Sequence, residues 1–223
     1  MHALVVKPHT LSSPGTIGEY AERLGVELVQ HVASLDGPLP PLDGFDFVIA
    51  MGAPWSVYGE EVKPWIESEL ELFREAVRRV IPVLGICFGA QAFAQALGGE
   101  VHKAEAEVGW KAVHTNDPGL IPEGPWFMWH SDSFSLPAGA RLVSWTESGG
   151  PQAYTMGPHI LVQFHPEVRP DVLEGWNRAE DSDVFERLGI DRAEIEAETE
   201  RRQEEARERA RRLFDRFLVG VSS

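Results

Sequence analysis

Short apolar runs alternate with amphipathic segments along the first half of the chain. Segment 61–79 is the clearest helix, because its apolar residues recur at steps of three and four. The run 83–86 is apolar throughout, as in a strand that is buried on both faces of a sheet. This alternation predicts an α/β fold with a mostly parallel sheet flanked by helices. The predicted strands are 3–6, 26–29, 47–50 and 83–86, and the predicted helices are 17–24, 61–79 and 91–97.

Beyond residue 101 the pattern changes to shorter strands that are separated by turn residues. We expect them to pair at least partly in antiparallel fashion, as a smaller extension on the main sheet or beside it. Segment 191–218 predicts a charged C-terminal helix whose apolar stripe becomes denser toward its end. Because no repeat or linker is visible, we expect a single domain, 1–223. The predicted strands of this half are 108–114, 126–129, 142–145, 152–155 and 160–164.

Composition and charge exclude several classes of function. Of the 223 residues, 43% are hydrophobic and 25% are charged, as in ordinary globular domains. The formal net charge of −15 repels phosphate backbones, so we expect no nucleic-acid partner. No apolar run approaches the ~18 residues that span a membrane, and the first residues resemble a strand rather than a signal peptide. We therefore expect a cytoplasmic protein with no membrane contact.

The single cysteine, Cys87, excludes an internal disulfide and argues against a metal site, since structural zinc sites use several Cys or His ligands. The surrounding segment 85–91 reads Gly-Ile-Cys-Phe-Gly-Ala-Gln at a predicted strand-to-helix junction. This is the Gly-x-nucleophile-x-Gly form of a nucleophile elbow, in which small neighbours allow close packing and the helix N-terminus favours a thiolate. The competing interpretation is a buried cysteine beside glycines that only serve packing.

A reactive thiol needs a base, and among the eight histidines His165 is the best candidate. It follows the predicted strand 160–164 and stands two residues before Glu167. Side chains two residues apart in an extended segment point the same way, so the Glu167 carboxylate can reach the His165 ring and orient it. A strand-end histidine that is merely satisfied by a nearby acid would show the same spacing. The combination with the cysteine elbow favours the catalytic interpretation.

Three segments together resemble the class I (triad) glutamine amidotransferases, in that family's order along the chain. They are Met-Gly-Ala-Pro-Trp-Ser-Val at 51–57, the elbow at 85–91, and Gln-Phe-His-Pro-Glu at 163–167. Shorter matches lie at 97–99 and 129–132. The nearest subfamily is the glutaminase part of guanosine monophosphate synthetase and its free-standing relatives. The resemblance implies a flavodoxin-like sheet, and it does not extend to the charged C-terminal helix.

The resemblance also implies roles for individual residues. Cys87 would attack the side-chain amide of glutamine and form a γ-glutamyl thioester, His165 would carry protons, and Glu167 would orient His165. The remaining implied roles are an oxyanion hole at the N–H groups of Gly52 and Phe88, and substrate binding at Gln91, His130, Ser131 and Asp132. No cofactor and no metal is implied.

Two positions depart from the family's pattern. The oxyanion loop has Gly52-Ala53-Pro54 where Gly-Gly-Pro is usual, and an added methyl group restricts any flip of that peptide. The substrate loop has His130-Ser131-Asp132 where His-Gly-Asp is usual. Neither change removes a catalytic atom, but both leave the identity of the substrate open.

Three functions remain open from the sequence. The first is a glutaminase that passes ammonia to a separate synthetase subunit, because the chain lacks the phosphate loop of an ATP-using domain. Such a partner could bind the helix at 191–218 or loops carrying Trp55, Trp126 and Trp129. The second is a free-standing γ-glutamyl hydrolase or peptidase with the same triad. The third is a non-catalytic regulatory subunit, which the intact triad disfavours.

Overall fold

The computed structural model describes residues 1–148, 150–179, 185 and 188–221, and all structural statements concern these residues. The strands are β1 (His2–Lys7), β2 (Glu27–Val32), β3 (Phe47–Ala50), β4 (Val83–Ile86), β5 (Val101–Lys111), β6 (His114–Thr115), β7 (Trp126–Phe134), β8 (Arg141–Thr146), β9 (Gly150–Met156) and β10 (His159–Val162). The helices are α1 (Gly15–Arg23), α2 (Ile66–Arg79), α3 (Phe88–Ala96), α4 (Pro170–Ala179) and α5 (Arg192–Val221), with a short 3-10 helix at Glu60–Val62.

The main sheet has the strand order β2-β1-β3-β4-β10-β9-β8-β6. Its first five strands are parallel, and β9, β8 and β6 continue it in antiparallel pairing. The predicted α/β fold with an antiparallel extension is therefore confirmed. Because β1, β3, β4 and β10 run in the same direction, the segments that follow them leave the sheet at one common edge.

A second, two-stranded sheet is formed by β5 and β7 in antiparallel pairing. Both strands are longer than their apolar patterns predict, because backbone pairing continues from Val101 opposite Phe134 to Lys111 opposite Trp126. A register shift between Lys103 and Glu107 interrupts the ladder. The segment 130–132, expected as a loop, is thus part of a strand, and so are Trp126 and Trp129.

Both faces of the main sheet are covered. Strand β1 shows the reason, because Ala3 and Val5 belong to one buried cluster and Leu4 and Val6 to the opposite one. On the first face α5 packs against the sheet, with Phe214 and Phe217 at ring-centroid distances of 6.1 and 5.4 Å from Phe47. Helices α2 and α3 cover the second face. The predicted dense apolar end of the C-terminal helix is confirmed.

Three helix predictions differ from the structure. The predicted helix 61–79 is divided, because Trp65 takes non-helical angles of φ −134° and ψ −17° between the 3-10 helix and α2. Helix α3 begins at Phe88 rather than at residue 91, directly after the cysteine. Helix α4 was not predicted, although Pro170 at its first position is a typical start signal. In the part of the chain that the structure describes, no helix is long and apolar enough to cross a membrane.

Helix α2 contains a buried carboxyl group with no partner. The Glu69 side chain is fully buried, and neither of its oxygens has a hydrogen-bond partner among the described residues. Burial raises its pKa to about 8. Glu69 therefore stays protonated in the folded protein at pH values where the unfolded chain has released the proton.

We predict that Glu69→Gln removes a pH-dependent loss of stability. Between pH 4.5 and 8 the folded protein holds a proton on Glu69 that the unfolded chain lacks, so wild-type stability falls as pH rises. The slope is at most roughly 1.4 kcal/mol per pH unit. Urea unfolding at several pH values should show a flatter profile for Glu69→Gln, whereas the exposed control Glu22→Gln should follow the wild type. Parallel profiles for Glu69→Gln and wild type would contradict the assignment.

Candidate active site

Cys87 occupies a strained turn between β4 and α3. Its backbone has φ 50° and ψ −107°, a conformation that residues with a side chain rarely adopt. The N–H of Cys87 donates to the carbonyl of Val162 at 2.8 Å, which links the turn to β10. The carbonyl of Cys87 accepts the N–H groups of Ala90 and Gln91, each at 3.0 Å. These bonds hold the residue in its strained conformation at the N-terminus of α3.

The two glycines of the elbow are required by close backbone contacts. A Cβ atom on Gly89 would lie 2.4 Å from the carbonyl oxygen of Ala50, and one on Gly85 would lie 2.7 Å from Cδ1 of Leu161. A side chain at Gly89 would push α3 away from β3, and one at Gly85 would displace the Leu161 side chain and crowd the backbone of α3, 3.1 Å away. The glycines thus set the short distance between the cysteine turn and its neighbouring strands.

His165 and Glu167 follow β10 and form a buried pair. Nδ1 of His165 lies 2.8 Å from Oε1 of Glu167, and the two side chains are 6% and 1% exposed. The backbone N–H of His165 donates to the carbonyl of Phe127 at 2.8 Å. The Trp176 ring stands edge-on to the imidazole, with 4.9 Å between the ring centroids. Nε2 of His165 is buried without a hydrogen-bond partner among the described residues, so it is the nitrogen that remains for proton exchange.

The surroundings favour a charged imidazole. Burial by itself would lower the pKa of His165, but the negative charges of Glu167 and of an ionised Cys87 outweigh it. The pKa of His165 is therefore held well above its ordinary value.

Several backbone and side-chain groups surround the sulfur atom. Nε2 of Gln163 lies 3.4 Å from Sγ of Cys87, and the carbonyl of Trp129 lies 3.9 Å from it. Gln163 belongs to the motif at 163–167, but the motif predicts no role for it. The amide of Gln91, for which a contact with substrate is expected, donates to Oε1 of Gln163 at 3.0 Å. Gln91 therefore orients the amide that donates to the sulfur.

The two expected oxyanion donors lie on either side of the cysteine. A Cβ on Gly52 would be 3.1 Å from Cε1 of His165 and 3.4 Å from Cβ of Cys87, so Gly52 touches both residues. Its carbonyl accepts the Ser12 hydroxyl at 2.6 Å, which fixes the orientation of the Gly52–Ala53 peptide. The N–H of Phe88 begins α3 and thus has no partner within that helix. Ser12 was not identified from the sequence.

Three of the four expected substrate residues, 130–132, lie on strand β7, where side chains alternate. Asp132 is buried and accepts the hydroxyls of Ser56 at 2.5 Å and Tyr58 at 2.9 Å. Ser131 is the next residue along the strand, so its side chain leaves from the opposite face. Its hydroxyl accepts a hydrogen bond from Nζ of Lys103 at 2.7 Å. The carboxylate of Asp132 thus ties β7 to the loop that contains Gly52.

His130 belongs to a buried network centred on Glu107, which no sequence motif predicts. Oε2 of Glu107 lies 3.4 Å from Nε2 of His130, and the carboxylate accepts hydrogen bonds at 2.8 to 2.9 Å from Thr146, Ser148 and Gln152. Burial by itself would raise the pKa of Glu107, but His130 and the hydroxyls outweigh it and lower the pKa to about 2. Since these partners are far apart in sequence, no local pattern marks the network.

A cavity of about 340 Å³ opens beside the His165–Glu167 pair. Both residues line it together with Gly52, and most of the remaining wall is aromatic or apolar. Its aromatic residues are His9, Trp55, Trp129 and Trp176. No cluster of three or more side chains able to hold a metal ion occurs within the described ranges.

Comparisons with known proteins show which family the chain belongs to. The sequence model of the family "Glutamine amidotransferase class-I" matches residues 17–175, well over half of the chain. This protein is a class I glutamine amidotransferase. The expected family is therefore confirmed, and the matched range contains the elbow and the His165–Glu167 pair.

The relatives of this class I glutamine amidotransferase include GMP synthases. One subunit of the glutamine-hydrolyzing GMP synthase of Sulfurisphaera tokodaii is 34% identical over 145 residues, which cover 59% of this chain and 72% of that protein. The glutamine-hydrolyzing GMP synthase of Aeropyrum pernix is 34% identical over 194 residues, which cover 75% of this chain. The match spans only 36% of the Aeropyrum protein.

Solved structures extend the similarity to the whole chain of this amidotransferase. A glutamine amidotransferase from Thermotoga maritima has a TM-score of 0.88 at 27% identity, covering 100% of this chain and 99% of that one. A glutamine amidotransferase from Methylobacillus flagellatus has a TM-score of 0.87 at 24% identity, covering 98% and 94%. The second similarity supports the fold alone.

We predict that Glu107→Gln destabilises the protein by about 3 kcal/mol at pH 7 and by much less in acid. The pKa of Glu107 is lowered in the folded state, so its contribution is present above pH 4.5 and is lost as pH falls toward 2. Urea unfolding of both proteins at pH 7 and pH 3 measures the difference. The matched control is Glu105→Gln, an exposed position on the same strand. If the difference in unfolding free energy between wild type and Glu107→Gln is the same at both pH values, the assignment of a charged Glu107 is wrong.

Proposed function

We propose that this class I glutamine amidotransferase cleaves the side-chain amide of glutamine through a γ-glutamyl thioester on Cys87. The observation that carries the proposal is the strained elbow that holds Cys87, with the buried His165–Glu167 pair beside it and Gly52 next to both Cys87 and His165. The raised pKa of His165 supports transfer of the thiol proton to its ring before attack. The roles proposed for the oxyanion groups and the substrate residues are those that the family resemblance implies.

In the first step, Sγ of Cys87 attacks the amide carbon of glutamine and a C–S bond forms. The thiol proton moves to Nε2 of His165, and Glu167 stabilises the resulting imidazolium. The N–H groups of Gly52 and Phe88 bind the negative oxygen of the tetrahedral intermediate. The C–N bond then breaks, and His165 returns the proton to the departing ammonia.

In the second step, water attacks the thioester carbon and gives a proton to His165. The C–S bond breaks, glutamate leaves, and the sulfur recovers its negative charge beside the imidazolium. Gln163 donates toward Sγ at 3.4 Å, which stabilises the sulfur whenever it is ionised. The same imidazole thus acts as base and acid in both halves of the reaction.

The end of glutamine that carries the α-amino and α-carboxylate groups is proposed to bind at Gln91, Ser131 and Asp132. Asp132 is held by two hydroxyls of the loop that carries Gly52, so substrate binding on β7 and the oxyanion donor are physically connected. His130 would act indirectly, because its ring is tied to Glu107. Ser131 in place of glycine limits how closely a substrate can approach the backbone there.

A separate synthetase subunit is proposed to accept the ammonia released from glutamine. The relatives from Sulfurisphaera tokodaii and Sulfolobus acidocaldarius, both named as single subunits of a GMP synthase, support this part of the proposal. A location in the cytoplasm, where glutamine is available, remains a prediction.

We predict that Cys87→Ser lowers glutamine turnover by at least about a thousandfold while leaving the fold unchanged, because a serine hydroxyl beside the same imidazole is a much weaker nucleophile. Glutamate release and circular dichroism measure the two effects. A glutamine-like chloroketone should label the wild type at its single cysteine and leave Cys87→Ser unlabelled. Turnover at the wild-type rate in Cys87→Ser would remove the thioester from the mechanism.

We predict that His165→Ala is the more damaging change of the buried pair, and that Glu167→Gln costs roughly tenfold to a hundredfold less in kcat. The carboxylate orients the ring and supports its charge but takes no proton in the proposed steps. The two variants should be compared in kcat and in their rate of chloroketone labelling. Equal losses in two folded variants would mean that Glu167 takes part in proton transfer.

A further inference from the structure

The cavity beside His165 is far larger than the leaving group of glutamine requires. Ammonia is about the size of water, which occupies roughly 30 Å³ in the liquid. The cavity measures about 340 Å³, and the departing ammonia alone gives no reason for this volume. The wall is also unsuited to ammonia, since most of it is aromatic or apolar.

The position of the cavity shows which half of a substrate it would receive. His165 must reach the departing nitrogen in order to protonate it, and His165, Glu167 and Gly52 all line the cavity. Gln91 and Asp132, where the amino-acid end is proposed to bind, do not line it. A group attached to the departing nitrogen would therefore extend into this cavity.

The wall is rigid as well as aromatic. The rings of Trp129 and Trp176 pack edge to face with 5.9 Å between their centroids. The rings of His9 and Trp55 do the same, with 5.3 Å between their centroids. Nε1 of Trp176 donates to the carbonyl of Leu11 at 3.2 Å, which fixes that indole. A cavity with such a wall favours binding of a flat or branched apolar group, because aromatic faces pack well against other rings.

Charge on the wall does not favour a cationic tail. The Glu167 carboxylate is balanced by His165, whose pKa is raised. Oε2 of Glu167 is buried without a hydrogen-bond partner among the described residues. The cavity thus combines the buried His165–Glu167 pair at one part of its wall with aromatic and apolar side chains over most of the rest.

We propose that the enzyme also cleaves γ-glutamyl amides of primary amines that carry an aromatic or branched apolar tail, with the tail bound in this cavity. The inference rests on the proposed thioester mechanism and adds the substrate class. Sγ of Cys87 displaces the amine, the C–N bond breaks, and His165 passes the thiol proton to the amine nitrogen. Water then hydrolyses the thioester to glutamate, and no further reactant is needed.

The test compares kcat/KM for three compounds that share the acyl half: γ-glutamyl benzylamide, γ-glutamyl methylamide and glutamine. We expect kcat/KM for the benzylamide to be at least tenfold higher than kcat/KM for the methylamide. Trp55→Ala removes one aromatic side chain of the wall, so the benzylamide-to-methylamide ratio of kcat/KM should fall about tenfold. The matched control Trp145→Ala removes a half-buried tryptophan of β8 that is not on the wall, and should keep the wild-type ratio.

A second variant adds volume and so avoids destabilising the wall. Leu11 lines the cavity and is 38% exposed, so Leu11→Trp should fold and should lower the same ratio by narrowing the space. Equal values for benzylamide and methylamide, or an unchanged ratio in Leu11→Trp, would overturn the inference while glutamine turnover keeps the thioester mechanism. Absence of turnover on all three compounds, with no chloroketone labelling of Cys87, would instead overturn the proposed function.

Discussion

The hydrogen bond from the N–H of Cys87 to the carbonyl of Val162 is the contact on which the site depends. At 2.8 Å it joins the end of β4 to the end of β10, the two parallel strands that deliver the cysteine and His165. The strained angles of Cys87 are unfavourable in an isolated turn. They persist because this bond and the first turn of α3 hold the residue from both sides.

Two buried carboxylate–histidine pairs serve different purposes in this strongly acidic protein. Glu107 accepts hydrogen bonds from three side chains besides its contact with His130, so its charge is well satisfied and stabilises the packing of β5 and β7 against β8 and β9. Glu167 has one bonded oxygen and one without a partner among the described residues. In the part of the chain that the structure describes, both oxygens of the first carboxylate are thus engaged in structural hydrogen bonds, whereas the second carboxylate leaves one oxygen without a partner.

Part of the cavity wall comes from outside the strands that lead to Cys87 and His165. Cys87 and His165 follow the central strands β4 and β10 of the main sheet, within the range 17–175 that the family model matches. The cavity wall takes His9 and Leu11 from the loop after β1, which precedes that range, and Trp176 from α4. Loops beyond the strand ends can vary without disturbing the sheet, so they are suited to set the shape and polarity of a pocket.

The amino-acid sequence by itself determined the alternation of strands and helices, the elbow, and the pairing of His165 with Glu167. These features depend on residues a few positions apart, where apolar periodicity, glycine and strand geometry act directly. Only the tertiary structure decided that 130–132 lies in a strand, that Gln91 binds Gln163, and that Glu107 meets Thr146 and Gln152. Those contacts join residues 39 to 72 positions apart. Strand pairing and the packing of the whole chain, rather than any local preference, bring them together.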